Sequence, residues 1–242
     1  MANVKEHYDN LLASCYSWMC GGSDLILKKN RAFFQGHNIW PARSAAAVDL
    51  GAGSGFQAIP LAEAGFKVTA IDVSRDLLTE LNKTAAELSI RTIQDSLLNF
   101  AEHSPEKIEI VVCMGDTLTH LKTLAEVKKL IHSVYEALEE EGLLILGFRD
   151  MTIELTRLDR FIPVRSDSKR IFTCFLEYEK NHVKVHDILY EKAGDQWEMK
   201  KSFFRKLRIS SQWVKECVLE AGFKVEKFDL GNGMVTIIAR KR

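Results

Sequence analysis

The chain has 242 residues, 46% hydrophobic and 27% charged, enough to bury an ordinary globular core. Its 33 Lys and Arg residues balance 33 Asp and Glu, so it lacks the long-range positive field that drives non-specific nucleic-acid binding. No apolar run approaches the roughly 18–20 residues that span a bilayer, and the start, MANVKEHYDN, lacks the basic-then-apolar pattern of a signal peptide.

The first forty residues read as helices closed by Pro41. Val4, Tyr8, Leu11, Leu12 and Cys15 recur at helical spacing until Gly21 and Gly22 interrupt, and Ser23 is the expected N-cap of a second helix carrying Ile26, Leu27, Phe33 and Phe34. From Ala45 to Gly147 short apolar runs alternate with helical stripes. Strands are expected at 45–50, 67–72, 90–94, 108–114 and 143–148. Between them Ser74 caps a helix striped by Leu77, Leu78, Leu81, Ala85 and Leu88, and a longer helix from Leu124 to Leu138 is ended by Gly142. That alternation implies right-handed βαβ units and a parallel sheet covered on both faces. Residues 170–207 then read as three longer strands, near 170–179, 182–191 and 196–207, joined by short turns as an antiparallel meander. Ser210 or Ser211 caps a last helix, and strands at 223–230 and 234–240 meet at Gly231-Asn232-Gly233, a hairpin signal.

Cys15, Cys20, Cys113, Cys174 and Cys217 form no Cys-x-x-Cys pair and no zinc-like spacing with histidine, which suits a reduced, cytoplasmic compartment. His182 and His186 share a strand face without a third ligand, so no metal site is expected there.

The strongest chemical signal is Asp49-Leu50-Gly51-Ala52-Gly53-Ser54-Gly55, directly after a strand and opening a helix. Its glycines permit a tight turn and a close neighbour, and the helix start is expected to offer free N–H groups. Phe56 occupies the position where a dinucleotide loop needs its last glycine, so the loop is not read as a pyrophosphate cradle. Asp72 ends the second strand, where a carboxylate can accept both hydroxyls of a ribose, and Asp95-Ser96 follows the third, where an adenine edge would lie.

Together these residues resemble the class I S-adenosylmethionine-dependent methyltransferases. VDLGAGSG is similar to that family's first motif, Asp72 to its ribose-binding acid, Asp95 to its adenine-side residue and CMGDTLTHL (113–121) to its fourth-strand motif. The resemblance implies an α/β fold: a doubly wound, Rossmann-like seven-stranded sheet whose last strand is antiparallel. An N-terminal helical lid would cover 1–40, the S-adenosylmethionine domain 41–150 and 209–242, and an antiparallel β insert on the substrate side 151–208. It also implies S-adenosylmethionine as cofactor, held by Asp49, Gly51, Ala52, Gly53, Gly55, Asp72, Val73, Asp95, Ser96 and Met114, with Tyr8 and Tyr16 closing over the sulfonium through their aromatic faces.

Three features look like the glycine and sarcosine N-methyltransferase branch: Gly115-Asp116-Thr117-Leu118 leading to His120-Leu121, Phe148-Arg149-Asp150 after the fifth strand, and the lid with Tyr8 and Tyr16. Asp116 stands where that branch has Asn, which turns the expectation from glycine toward another amine-bearing acceptor. Arg149 is expected to anchor an acidic group of the acceptor, and Asp116 or His120 to orient the nucleophile or take its proton. Arg157, Arg160, Arg165, Lys169 and Arg170 are read as a solvated face, with the entrance for an anionic substrate first and an RNA contact second as the functional alternatives. The expected partner is a small-molecule methyl acceptor, with no nucleic acid and no membrane; homo-oligomerisation stays open. An O- or protein-methyltransferase, and a non-catalytic S-adenosylmethionine-binding protein, are the alternatives.

Overall fold

The computed structural model describes residues 4–104, 107–231 and 233–242, so Asn232 of the expected hairpin turn lies outside them. The N-terminal segment is helical but broken. α1 (Val4–His7) widens into a π-type turn at Tyr8–Leu12, tightens through a 3-10 turn at Ala13–Cys15 and resumes as α2 (Tyr16–Met19). Successive residues on a regular helix point apart; the altered winding buries both Leu11 and Leu12, with Cys15, against Phe172 and Leu189. In α3 (Ser23–Gly36) the N-cap is Gly22 at φ 97°, not Ser23, which is the first helical residue. The left-handed conformation there suits glycine.

β1 (Ala46–Leu50) is buried along its whole length, as expected for a strand with helices on both faces. α4 (Ala58–Glu63), β2 (Lys67–Asp72), α5 (Arg75–Thr84), β3 (Ile90–Gln94), the short α6 (Phe100–His103) and β4 (Ile108–Cys113) follow. Ser74 caps α5 through the Leu77 N–H, and Thr123 caps α7 (Leu124–Ala137) through that of Glu126. α7 ends earlier than Gly142 because Leu138 is already extended, so β5 (Leu138–Phe148) begins five residues before the expected strand.

The second region holds one strand more than its pattern suggests: β6 (Phe161–Ser166), whose Pro163 and Arg165 hide any alternation, joins β7 (Arg170–Tyr178), β8 (His182–Ala193) and β9 (Gln196–Leu207). The chain closes with α8 (Ser211–Glu220), capped by Ser210, then β10 (Lys224–Gly231) and β11 (Met234–Arg240). The larger sheet has seven strands in the order β10-β11-β5-β4-β1-β2-β3, and the smaller has four in the order β6-β7-β8-β9. β1 to β5 pair in parallel, while β11 runs antiparallel to β5 and β10. Strand order reverses at β1, between β4 and β2, and in open α/β sheets ligands sit outside the carboxyl ends at that switch point. All residues expected to bind or react lie at that end or on the segments packed over it. No helix among the described residues is long and apolar enough to cross a membrane.

Candidate functional site

The loop after β1 is shaped by the protein around it. A Cβ on Gly51 would lie 2.2 Å from Thr117 Cγ2, and one on Gly55 2.2 Å from Leu81 Cδ1, so both glycines admit neighbouring side chains at close range. Its amides are largely spent as well. Gly51 and Ala52 donate to the Ile71 carbonyl, Gly53 to Asp72 Oδ2 and Gly55 to the Ala52 carbonyl. These four loop amides are therefore taken before the helix begins at Ala58, three by β2 and its terminal carboxylate and that of Gly55 by the loop itself. Gly53 keeps room above it, its nearest contacts being Tyr16 and Leu77 at 3.7 Å.

A cavity of about 670 Å³ opens over this loop. Gly51, Gly53, Asp72, Val73, Asp95 and Ser96 line one side, with Leu77, Leu97 and Leu98 as an apolar wall. Tyr8, Tyr16, Thr117 and His120 line the other. Asp72 accepts the Gly53 and Ser74 amides, each at 2.8 Å. Burial nevertheless raises its pKa, with the Ser74, Gly53 and Val73 amides working in the opposite sense. Asp95 accepts from His103 at 2.7 Å and from the Ser96 amide, and these bonds hold it below the usual carboxylate range. Asp49, Ala52, Gly55 and Met114 do not line the cavity but support the loops that do. Both Asp49 oxygens are buried without a well-formed hydrogen bond among the described residues. Burial, then the Asp72 charge, push Asp49 up to about 8 against a weak pull from the Ala58 amide.

The residues expected to act on the acceptor separate. His120 stands on the cavity wall, packed beside Tyr8 and edge-on to Phe204 at ring-centroid distances of 6.1 and 5.4 Å. Among the described residues its ring nitrogens have no hydrogen-bond partner. Burial first, and the Lys206 charge second, lower its pKa to about 3 despite the opposing Asp116 carboxylate, so the imidazole is neutral. Asp116 lies behind that wall, in the left-handed conformation at φ 74°. Its Oδ1 accepts the Arg149 amide at 2.9 Å and the Thr119 hydroxyl at 3.2 Å, and its Oδ2 accepts from the Lys206 ammonium. Burial works to raise the Asp116 pKa, but the Lys206 charge and these hydrogen bonds prevail and lower it. Arg149 turns from the cavity: its side chain is half exposed, with Nε 3.7 Å from Asp116 Oδ2 and Nη1 3.5 Å from Met234 Sδ. Its ion pair is with Asp116, not with neighbouring Asp150, which accepts the Ser211 amide.

Sequence reasoning missed the residues that hold the N-terminal segment over the site. Glu80 of α5 accepts from Ser17 at 2.5 Å and from Ser54 of the glycine loop at 2.9 Å. Buried His7 binds Asp187 of β8 at 2.8 Å and stacks on Phe204. Trp18 donates to Asp167 at 2.6 Å between the guanidinium groups of Arg165 and Arg170, which gives two members of the basic run a structural task. Burial pushes the Tyr8 and Tyr16 phenols up, so both stay neutral, and Tyr16 stacks on Phe56 at 5.7 Å. None of these pairs leaves a local sequence signal, since their members lie 26 to 180 residues apart.

The donor set fits a nucleoside bearing a cation. A strand-end carboxylate suits vicinal hydroxyls, the slot of Val73, Leu97 and Leu98 suits a flat base, and the two neutral aromatic rings of Tyr8 and Tyr16 suit positive charge.

Comparison with known proteins agrees. Residues 47–142 match the family profile described as "Methyltransferase domain". The glycine/sarcosine N-methyltransferase of Aphanothece halophytica is 32% identical over 110 residues, which are 45% of this chain and 42% of that protein. The chain thus spans about two fifths of that relative's length. A crystal structure of an S-adenosylmethionine-dependent methyltransferase from Clostridium acetobutylicum superposes with a TM-score of 0.71 at 15% identity, covering 97% of this chain and 96% of that one. An S-adenosylmethionine-bound amino pentose methyltransferase from Micromonospora echinaspora superposes at 0.70 and 13% identity, over 91% and 90% of the two chains. At such identities the two structures establish the fold.

Proposed function

We propose that this chain, which carries a class I S-adenosylmethionine-dependent methyltransferase domain, transfers the methyl group to a nitrogen of a small molecule. The single observation that carries this reading is the unpartnered, neutral His120 facing the cavity opposite the glycine loop and Asp72. The relation to a glycine/sarcosine N-methyltransferase favours nitrogen as the acceptor atom.

Asp72, Val73, Asp95 and Ser96 would hold the nucleoside, and Tyr8 and Tyr16 would cover the sulfonium. When bound, S-adenosylmethionine supplies a methyl group already activated by positive sulfur, so no metal or covalent enzyme intermediate is needed. The residues of this chain supply position, which in favourable intramolecular models is worth roughly 7–11 kcal/mol. An amine attacks only through a free lone pair. The buried wall of Tyr8, His120 and Phe204, near the Lys206 charge, disfavours an entering ammonium and favours the neutral amine. His120 then accepts a hydrogen bond from the amine N–H and turns the lone pair toward the methyl group. With a pKa near 3 it is a weak base, so its task is orientation, and the proton leaves after transfer to solvent at the cavity mouth. Asp116 acts through Lys206 and Arg149 to hold the loop that carries His120.

Calorimetric titration with S-adenosylmethionine and S-adenosylhomocysteine tests the reading. Micromolar binding of both is expected, with Asp72→Ala weakening it about 10- to 100-fold, as for lost hydrogen bonds to a charged group. His120→Ala should keep that binding and lose methyl transfer. Absence of binding to the wild-type protein overturns the reading.

A further inference from the structure

The acceptor side of the cavity ends in a rim of positive charge that orientation by His120 leaves unused. Lys122 follows His120 by two residues and, like His182, lines both the cavity and an adjoining groove of about 580 Å³. Lys180, Arg208 and the first residues of α7, Leu124 and Ala125, complete that groove, and among the described residues no carboxylate lines it. Arg208 is committed to Glu154 at 2.7 Å and to the Thr152 and Glu179 carbonyls. Arg205 and Lys5 on the neighbouring cavity wall are paired with Glu179 and Asp9. Lys122 and Lys180 differ: among the described residues neither ammonium has an ion-pair partner. Both line the groove with His182, whose Nε2 lies 3.1 Å from the Lys122 carbonyl oxygen. In a chain whose charges balance overall, this local surplus is a property of the groove, not of composition. At the start of α7 Thr123 accepts the Glu126 amide, and the Glu126 carboxylate, which lines the cavity beyond the groove, accepts the Lys122 backbone amide at 2.7 Å rather than its ammonium.

The way in also favours this end. The N-terminal segment is tied down at His7–Asp187, Ser17–Glu80 and Trp18–Asp167, so an acceptor that reaches His120 without unfastening it passes Lys122. We propose that Lys122 and Lys180 receive an anionic group, a carboxylate or a phosphate, at the end of the methyl acceptor remote from its amine. The proposal rests on the methyltransferase reading above and moves the acid-binding role away from Arg149, which is turned from the cavity.

The test uses the full chain saturated with S-adenosylhomocysteine; failure of that saturation would strike at the methyltransferase reading itself. Three amines of matched length are then titrated calorimetrically: 3-aminopropylphosphonate, 4-aminobutanoate and 4-aminobutanol. Binding of at least one of the two anionic amines is expected, about tenfold or more tighter than the alcohol and weakening as salt rises. Which one binds separates phosphate from carboxylate. Lys122→Gln combined with Lys180→Gln should weaken the anionic amine about tenfold, whereas Arg149→Gln should not. Both lysines are exposed, so a melting curve suffices to verify folding, and either single variant serves if the double variant melts early. Equal binding of all three amines, no binding of either anionic amine, or undiminished affinity in the folded lysine variants overturns the proposal.

Discussion

Lys206 of β9 donates its ammonium to the carboxylate of Asp116 at the end of β4, so one buried ion pair joins the two sheets directly behind His120. The residues lie 90 positions apart, and Arg149 adds its backbone amide to the same carboxylate. Removing one partner of such a pair leaves a buried charge uncompensated. Lys206→Met should therefore cost about 3–5 kcal/mol, a fall in Tm on the order of 10 °C for a chain of this size. Lys206→Met with Asp116→Asn should recover most of it. Thermal melts of the two variants check this, and equal destabilisation in both would remove the pair from the account.

His120 makes stability depend on pH in a definite direction. Its pKa falls from an ordinary 6.5 to about 3 in the folded chain. Between those values the unfolded chain binds the proton and the folded chain does not, so the stabilisation is complete above about pH 6.5 and is lost as pH falls toward 3. His120→Asn should flatten the fall of Tm between pH 6.5 and 4.5. The wild-type rate profile should show no ascending limb near pH 6.5 from this residue.

Gly51 and Gly55 should respond differently to the same substitution. Gly55→Ala, at φ 86°, drives its methyl into fully buried Leu81 and should cost about 1–3 kcal/mol or more from overpacking and backbone strain together. Its effect should fall on Tm. Gly51→Ala instead displaces Thr117, which lines the cavity, so it should weaken S-adenosylhomocysteine binding as well. Melting and calorimetry on both variants separate the two outcomes.

Glu80 should control how firmly the N-terminal segment covers the cofactor. Glu80→Ala releases Ser17 and Ser54 together, and Ser17→Ala releases only one of them. Hydrogen exchange in residues 4–20 should quicken in both, and S-adenosylhomocysteine should dissociate faster. The double variant should resemble Glu80→Ala alone, with a coupling of about 0.5–3 kcal/mol. Strict additivity would show that Ser17 is held by something else.

The division between what could be read from the sequence and what could not follows the range of the interactions. Runs such as 108–113, buried on both faces, and the 3.6-residue stripe of α7 set the parallel sheet, because strand and helix periods are local properties. The glycine spacing, with Asp72 and Asp95 at successive strand ends, placed these residues on one cavity for the same reason: the end of a parallel strand always faces the same crevice. Even there local reading had a limit. It showed nothing of Thr117 and Leu81, which folding brings into the space beside Gly51 and Gly55. β6 escaped because its edge position, with Phe161, Pro163 and Val164 exposed, imposes little alternation.

The sequence by itself thus determined the α/β fold, the loop and the acids around the cavity. Only the tertiary structure decided which charges are free to meet an acceptor. Asp116 and Arg149 look available in the chain, yet docking of the second sheet brings Lys206 onto Asp116 and leaves Arg149 facing outward. Lys122 and Lys180, which carry no motif, have no carboxylate partner among the described residues. A charge left buried and unpaired is costly, so Asp116 is claimed by the cation that packing delivers, and residue spacing along the chain does not encode that delivery.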